Sequence, residues 1–194
     1  MSGPLKRRER ATYENLADVP DHLVGEILDG DLFTTPRPAI PHARAASVLG
    51  MEISPPFDRE AGGGDGPGGW WFLDEPEIHL GEDVLVPDLA GWRRERLPVL
   101  LDAAFVSVAP DWVCEVISPK TERIDRGRKR LIYARERLSH LWLLSPTART
   151  LEVFRLSGES WTLVRTFEGD ETVYAEPFEA VGLNMSRLWI PSSE

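Results

Sequence analysis

The sequence predicts an α/β (α+β) fold: a mixed β-sheet core flanked by helices, opened by a hairpin and closed by an antiparallel meander. Three observations carry that expectation. Asp29-Gly30 stands between two apolar runs over Leu23 to Phe33, and Asp-Gly tolerates the positive φ of a two-residue hairpin turn. The run Trp112 to Ile117, a Ser-Pro break, a helix-like stretch over about 122–137 and the run Leu141 to Leu144 read as strand, helix and parallel strand joined by a right-handed crossover. Stretches near 150–156, 161–167 and 171–175 read as the closing antiparallel strands.

Whole-chain properties bound the possibilities. A length of 194 residues suits one domain over 1–194 with a full core, residues 1–11 being flexible and 58–69 a Gly-rich loop. Charged residues at 28% and hydrophobic residues at 42% are those of an ordinary globular chain. The lone Cys114, among apolar neighbours, reads as a core thiol. No run of about 18 apolar residues predicts a membrane span. Lys6-Arg7-Arg8 leads into no apolar segment, so a cytoplasmic location is expected rather than secretion. The net charge of −10 repels phosphate, since nucleic-acid affinity comes from Lys and Arg. A nucleic-acid function therefore needs a local basic patch or a bound cation. Charge alone favours an acidic enzyme with a small-molecule or protein partner.

Along the chain, Thr12 can cap a short helix ending before Pro20. Glu26 lies on the first hairpin strand, facing away from Ile27; the plainer reading is an exposed strand acid. A helix over about 41–53 carries His42 in its first turn, as a polar helix-end residue or a site residue. Asp58 to Gly69 lacks the Lys-Ser/Thr of a phosphate-cradling loop and reads as a connector. Trp70 to Leu73 and Glu77 to Leu80 are short strands around Pro76. Val84 to Ala90 reads as one strand carrying Pro87, which marks an edge or a bulge, and bulges re-aim side chains beside active sites. In the later helix Asp125, Lys129 and Tyr133 recur every four residues and share a face. The plainer reading of Lys129 is a surface ion pair with Asp125, worth about a few tenths of a kcal/mol.

Glu115 inside its apolar run is costly unless paired, metal-bound or neutralised. Asp88 lies 27 residues earlier (115 − 88 = 27), on a strand predicted to neighbour it. These two carboxylates, with Glu26 added and the Val116 carbonyl as a further ligand, suit Mg²⁺ or Mn²⁺, hard cations that prefer oxygen. Such a site can hydrolyse a phosphodiester.

Val86-Pro87-Asp88 followed by Cys114-Glu115-Val116-Ile117-Ser118-Pro119-Lys120-Thr121 resembles the PD-(D/E)xK nuclease superfamily. More narrowly it is similar to the Uma-two branch, a bacterial group described as restriction endonucleases. The similarity runs in consistent order over about residues 22–156: the hairpin from Glu26, Pro87-Asp88, Glu115 to Ser118, Asp125 to Lys129 with Tyr133, and Leu141 to Pro146. It implies a restriction-endonuclease-like fold and a Mg²⁺- or Mn²⁺-dependent endonuclease acting on nucleic acid, DNA foremost, as a homodimer. Asp88 and Glu115 would bind metal with Val116, Glu26 would complete the acidic cluster and Lys129 would assist the water. The superfamily's usual lysine, two residues after the acid, is Ile117 here. Lys129 on the following helix is preferred in its place, with Lys120 as competitor. His42, Glu77, Lys120 and Tyr133 form a second tier. Ser145 stands where the branch usually carries Asp, an acid read as structural. Two alternatives share these residues: an inactive nuclease-fold module acting through protein–protein contacts, and a hydrolase of another phosphoester.

Overall fold

The computed structural model describes residues 10–62 and 66–191. Residues 1–9, most of the segment expected to be flexible, and residues 63–65 of the Gly-rich loop lie outside these. After a 3₁₀ turn (Tyr13–Asp18), β1 (Leu23–Leu28) and β2 (Asp31–Pro36) form the expected hairpin, with Asp29 and Gly30 at φ 53° and 82°. Helix α1 (Ile40–Phe57) is longer than expected, running through Pro55 and Pro56. Their missing N–H groups would have served only the Met51 and Glu52 carbonyls, and the Asp58 N–H still closes on the Ser54 carbonyl at 2.7 Å. Five strands follow: β3 (Trp70–Asp74), β4 (Ile78–Leu80), β5 (Asp83–Leu85), β6 (Leu89–Arg93) and β7 (Trp112–Val116). The next helical stretch is α2 (Glu122–Ile124), a π-helical turn (Asp125–Lys129) and α3 (Arg130–Arg135). Then come β8 (His140–Ser145), β9 (Thr150–Ser157), β10 (Ser160–Glu168), β11 (Thr172–Val173) and β12 (Leu183–Asn184).

The main sheet has the order β10-β9-β8-β7-β6-β3, with β7 and β8 parallel and every other neighbour antiparallel. The crossover over residues 112–145 is thus present. A second sheet has the order β2-β1-β5-β4. Two expectations are corrected. Val84 to Ala90 is two strands in different sheets, broken at Val86-Pro87-Asp88, because Pro87 has no N–H for a ladder and the Val86 N–H goes to a side chain, Glu26 Oε1, at 2.8 Å. The two short strands expected around Pro76 are present as β3 and β4, one in each sheet. The strand expected at 171–175 does not extend the meander: Gly169, at φ 73°, turns the chain back, and β11 pairs with β12 alone.

Alternation along β7 sorts its side chains to two faces. Trp112, Cys114 and Val116 pack with Ala45, Val48 and Leu49 of α1. Val113 and Ile117 join Ile132 and Tyr133 of α3 and Leu28 and Leu85 of the second sheet. Glu115 therefore points to this second side, into the space between helix and second sheet. Cys114 is fully buried, and burial pushes its thiol well above the ordinary value, so it is an inert core residue. Ser145 ends β8, its hydroxyl accepting the Ala148 N–H at 3.2 Å, a turn-closing role. In the π turn, a Cβ at Gly127 would meet nothing within 4 Å. Gly127→Ala is expected to raise stability by about 1 kcal/mol through backbone entropy. The check is a higher urea midpoint at unchanged m-value.

Candidate active site

The two sheets and the helical stretch converge where Pro87 breaks the chain. In the antiparallel β6–β7 pair Leu89 stands opposite Cys114 and Ala90 opposite Val113. One more step of that register sets Asp88 opposite Glu115. Asp88 is held from three sides. Its Oδ2 accepts the Val116 N–H at 2.7 Å, its Oδ1 lies 3.2 Å from His42 Nε2, and its carbonyl accepts the Glu75 N–H at 3.1 Å. Glu75, before Pro76, adopts a left-handed φ of 44° to make that last bond.

Lys129 enters from the π turn. Its Nζ lies 2.8 Å from Glu26 Oε1, 3.2 Å from Glu115 Oε2 and 3.7 Å from Asp125 Oδ1. The Tyr133 hydroxyl, one turn on, donates to Glu115 Oε1 at 2.5 Å. Glu26, Glu115, Asp125 and Lys129 are only 2–4% exposed. A π turn is an uncommon deformation that recurs at functional sites, and here it carries both Asp125 and Lys129 into the interior.

Charge is unevenly balanced in this space. Burial pushes Glu115 well above the ordinary carboxylate range; Lys129 opposes the rise, and Asp125, Asp88 and Glu26 add to it. Asp125 is pushed up to about 6, by burial first, with Lys129 and the Thr121 side chain opposing. Burial pulls Lys129 down, but Glu115, Glu26 and Asp125 outweigh it and hold the ammonium well above its usual value. Burial and the neighbouring Glu115 keep Tyr133 a proton donor. At His42 burial also works against the charge, and Asp88, the Val116 backbone and Asp125 overcome it. Four carboxylates thus share one ammonium and one imidazole. The cluster is short of positive charge and holds on to protons.

A cleft of about 340 Å³ opens over Asp88, Glu115, Glu26 and Lys129. Its walls come from the β2–α1 connection (Thr35 to Ala39), the Ser118 to Thr121 turn and Ile124, with Arg37 and Lys120 among the lining residues.

The donor set fits a hard divalent cation. The acids are oxygen ligands in surplus over positive charge, which is what Mg²⁺ or Mn²⁺ would relieve. Among the described residues no three His, Cys, Asp or Glu side chains form a ready-made metal cage. Mg²⁺ needs none, because it keeps several waters and is commonly held through one or two carboxylates.

Comparison with known proteins places the chain. The family model Uma2, described as “Putative restriction endonuclease”, matches residues 10–187. The chain belongs to the Uma2 family. No curated protein matches it. Among solved structures it is similar to a “putative nuclease belonging to DUF820 from Anabaena variabilis ATCC 29413”, at 20% identity and a TM-score of 0.73, over 92% of this chain and 97% of that one. At that identity the likeness speaks for the fold: the expected restriction-endonuclease-like core of mixed sheet and flanking helices.

In this Uma2 chain, Glu26, Asp88, Glu115, Lys129, Tyr133 and the Val116 backbone come together with His42. Glu77 does not; it pairs with His79 at 2.7 Å and is not among the cleft residues. Lys120 lines the cleft but is exposed, with no ion pair among the described residues. Of the two lysines, only Lys129 has its ammonium among the acids. Asp125, sharing the helix face of Lys129, is no surface partner of it but a third buried carboxylate against it. Its apolar neighbour Ile124 and the i, i+4 spacing to Lys129 were the available signals. The backbone hold of Glu75 on Asp88 leaves no trace in the sequence beyond the Glu-Pro pair. Tyr133→Phe strips Glu115 Oε1 of its donor and is expected to cost about 1–3 kcal/mol, read by urea unfolding.

Proposed function

We propose that this Uma2 chain is a divalent-metal-dependent endonuclease that hydrolyses nucleic-acid phosphodiester bonds, DNA foremost, at the cluster around Lys129. The observation that supports it is the meeting of Lys129 with Glu115 and Glu26 beside Asp88. The charge that the usual motif takes from the strand, where Ile117 is apolar, comes here from the helix.

Asp88 and Glu115, with the Val116 carbonyl, would hold Mg²⁺ or Mn²⁺. When bound, such an ion supplies a nucleophile at neutral pH and neutralises charge developing on the phosphate. It also answers the repulsion expected of a chain at −10. The chain's own groups do the positioning. Tyr133 fixes Glu115 through its 2.5 Å bond, and His42 and the Val116 N–H fix the two oxygens of Asp88. Lys129 presents a preorganised ammonium where water or a phosphoryl oxygen is to be oriented, in a site shielded from bulk solvent. Hydrolysis breaks one P–O ester bond, with hydroxide added to phosphorus and a proton to the leaving oxygen.

Incubating the purified protein with plasmid, single-stranded DNA and RNA in Mg²⁺ or Mn²⁺ tests the proposal. Cleavage is expected, abolished by EDTA and reduced by about 10²–10³-fold in Asp88→Asn. No cleavage of any substrate, or cleavage that survives both EDTA and Asp88→Asn, overturns it.

A further inference from the structure

We infer that the cleft admits one unpaired strand and keeps a duplex away from the reacting groups. The inference rests on the nuclease reading and names the form of its substrate.

The first argument is size. Glu26, Glu115 and Lys129 lie at the floor, 2–4% exposed, and the Asp88 side chain is only 15% exposed. The space above them is about 340 Å³, at the low end of small-molecule pockets, which run to about 1,000 Å³. A space of that size takes one small-molecule-sized group at a time, so a phosphate drawn to the little-exposed Asp88 and Lys129 enters with its own nucleotide and without the paired one.

The second argument is the chemistry of the walls. Val24, Pro36, Pro38, Ala39, Pro119 and Ile124 line the cleft. A phosphate backbone gains nothing from apolar walls. The face of a base does, and pairing within a stack would hide that face. The third is local charge. Lys120 in the lining and Arg123, beside Ile124 in α2, are exposed and carry no ion pair among the described residues. In an acidic chain Lys120 in the lining, with Arg123 next in sequence to the lining residue Ile124, suits phosphates flanking the one inside.

The test compares fluorescein-labelled oligothymidine with the same strand annealed to oligoadenosine, in Mn²⁺. Cleavage is followed with the wild-type protein and binding by fluorescence anisotropy with Glu115→Gln. The single strand is expected to be cut faster and bound tighter by about tenfold or more, the scale of burying one base face against apolar walls. A duplex cut or bound as well as the single strand overturns the inference. If the wild-type protein cuts neither, plasmid and RNA decide the nuclease reading and wild-type binding decides the inference: preference for the single strand supports it, while equal binding or none overturns it.

Discussion

Lys129→Met is expected to lower cleavage by about 10²–10³-fold and stability by about 3–5 kcal/mol. Both effects come from one ammonium. Its Nζ sits within 4 Å of Glu26, Glu115 and Asp125, all buried. Removing one partner of a buried ion pair leaves charge without compensation, which costs far more than the intact pair gains. The acids can answer by taking up protons, so the stability loss is expected to shrink as pH falls. Cleavage in Mn²⁺ and urea unfolding in EDTA separate the two roles. A Met variant that is destabilised but cuts at the wild-type rate would make Lys129 a structural counter-ion only.

The metal-free protein is expected to gain stability as pH falls from 7 towards 4, the reverse of ordinary acid loss. Burial raises Asp125 from its ordinary 3.8 to about 6, with Lys129 opposing. A carboxyl raised in the folded state stabilises fully below its unfolded pKa and loses that contribution as pH rises through the folded one. The window for Asp125 is therefore about pH 4 to 6, and two units correspond to about 3 kcal/mol. Glu115 is raised by burial and adds with the same sign. His42 does too, because Asp88 holds its proton against burial. His140 works in the opposite direction, since burial lowers its pKa. Asp125→Asn isolates the main contribution. It is expected to exceed wild type by about 2–3 kcal/mol at pH 7, the gap closing near pH 4, in urea unfolding with EDTA. A variant no more stable than wild type at pH 7 would contradict an acid surplus at the site.

The parts of the fold that rest on local chemistry were legible in the sequence. Asp29-Gly30 specifies its turn, and the apolar runs on either side of the 122–135 helical stretch specify a parallel pair. The lysine could be moved to the helix because Asp125, Lys129 and Tyr133 keep helical spacing. What stayed hidden depends on partners far along the chain. Val84 to Ala90 reads as one strand until Glu26, 60 residues before Val86, takes the Val86 N–H. The stretch 171–175 has strand composition, but its partner is Leu183–Asn184 and not β10. The burial of Asp125 is of the same kind, for the groups around it include Glu26 and Asp88, far earlier in the chain. The cleft is equally non-local, being closed by the β2–α1 connection and the Ser118 to Thr121 turn.

The most direct test of the central claim is the anomalous difference density of a crystal soaked in Mn²⁺. The expected result is a manganese peak within coordination distance of the Asp88 and Glu115 carboxylates and the Val116 carbonyl, with the Lys129 ammonium beside it. Saturating Mn²⁺ that leaves no peak there, or binds only elsewhere, would contradict a metal-dependent nuclease site at this cluster.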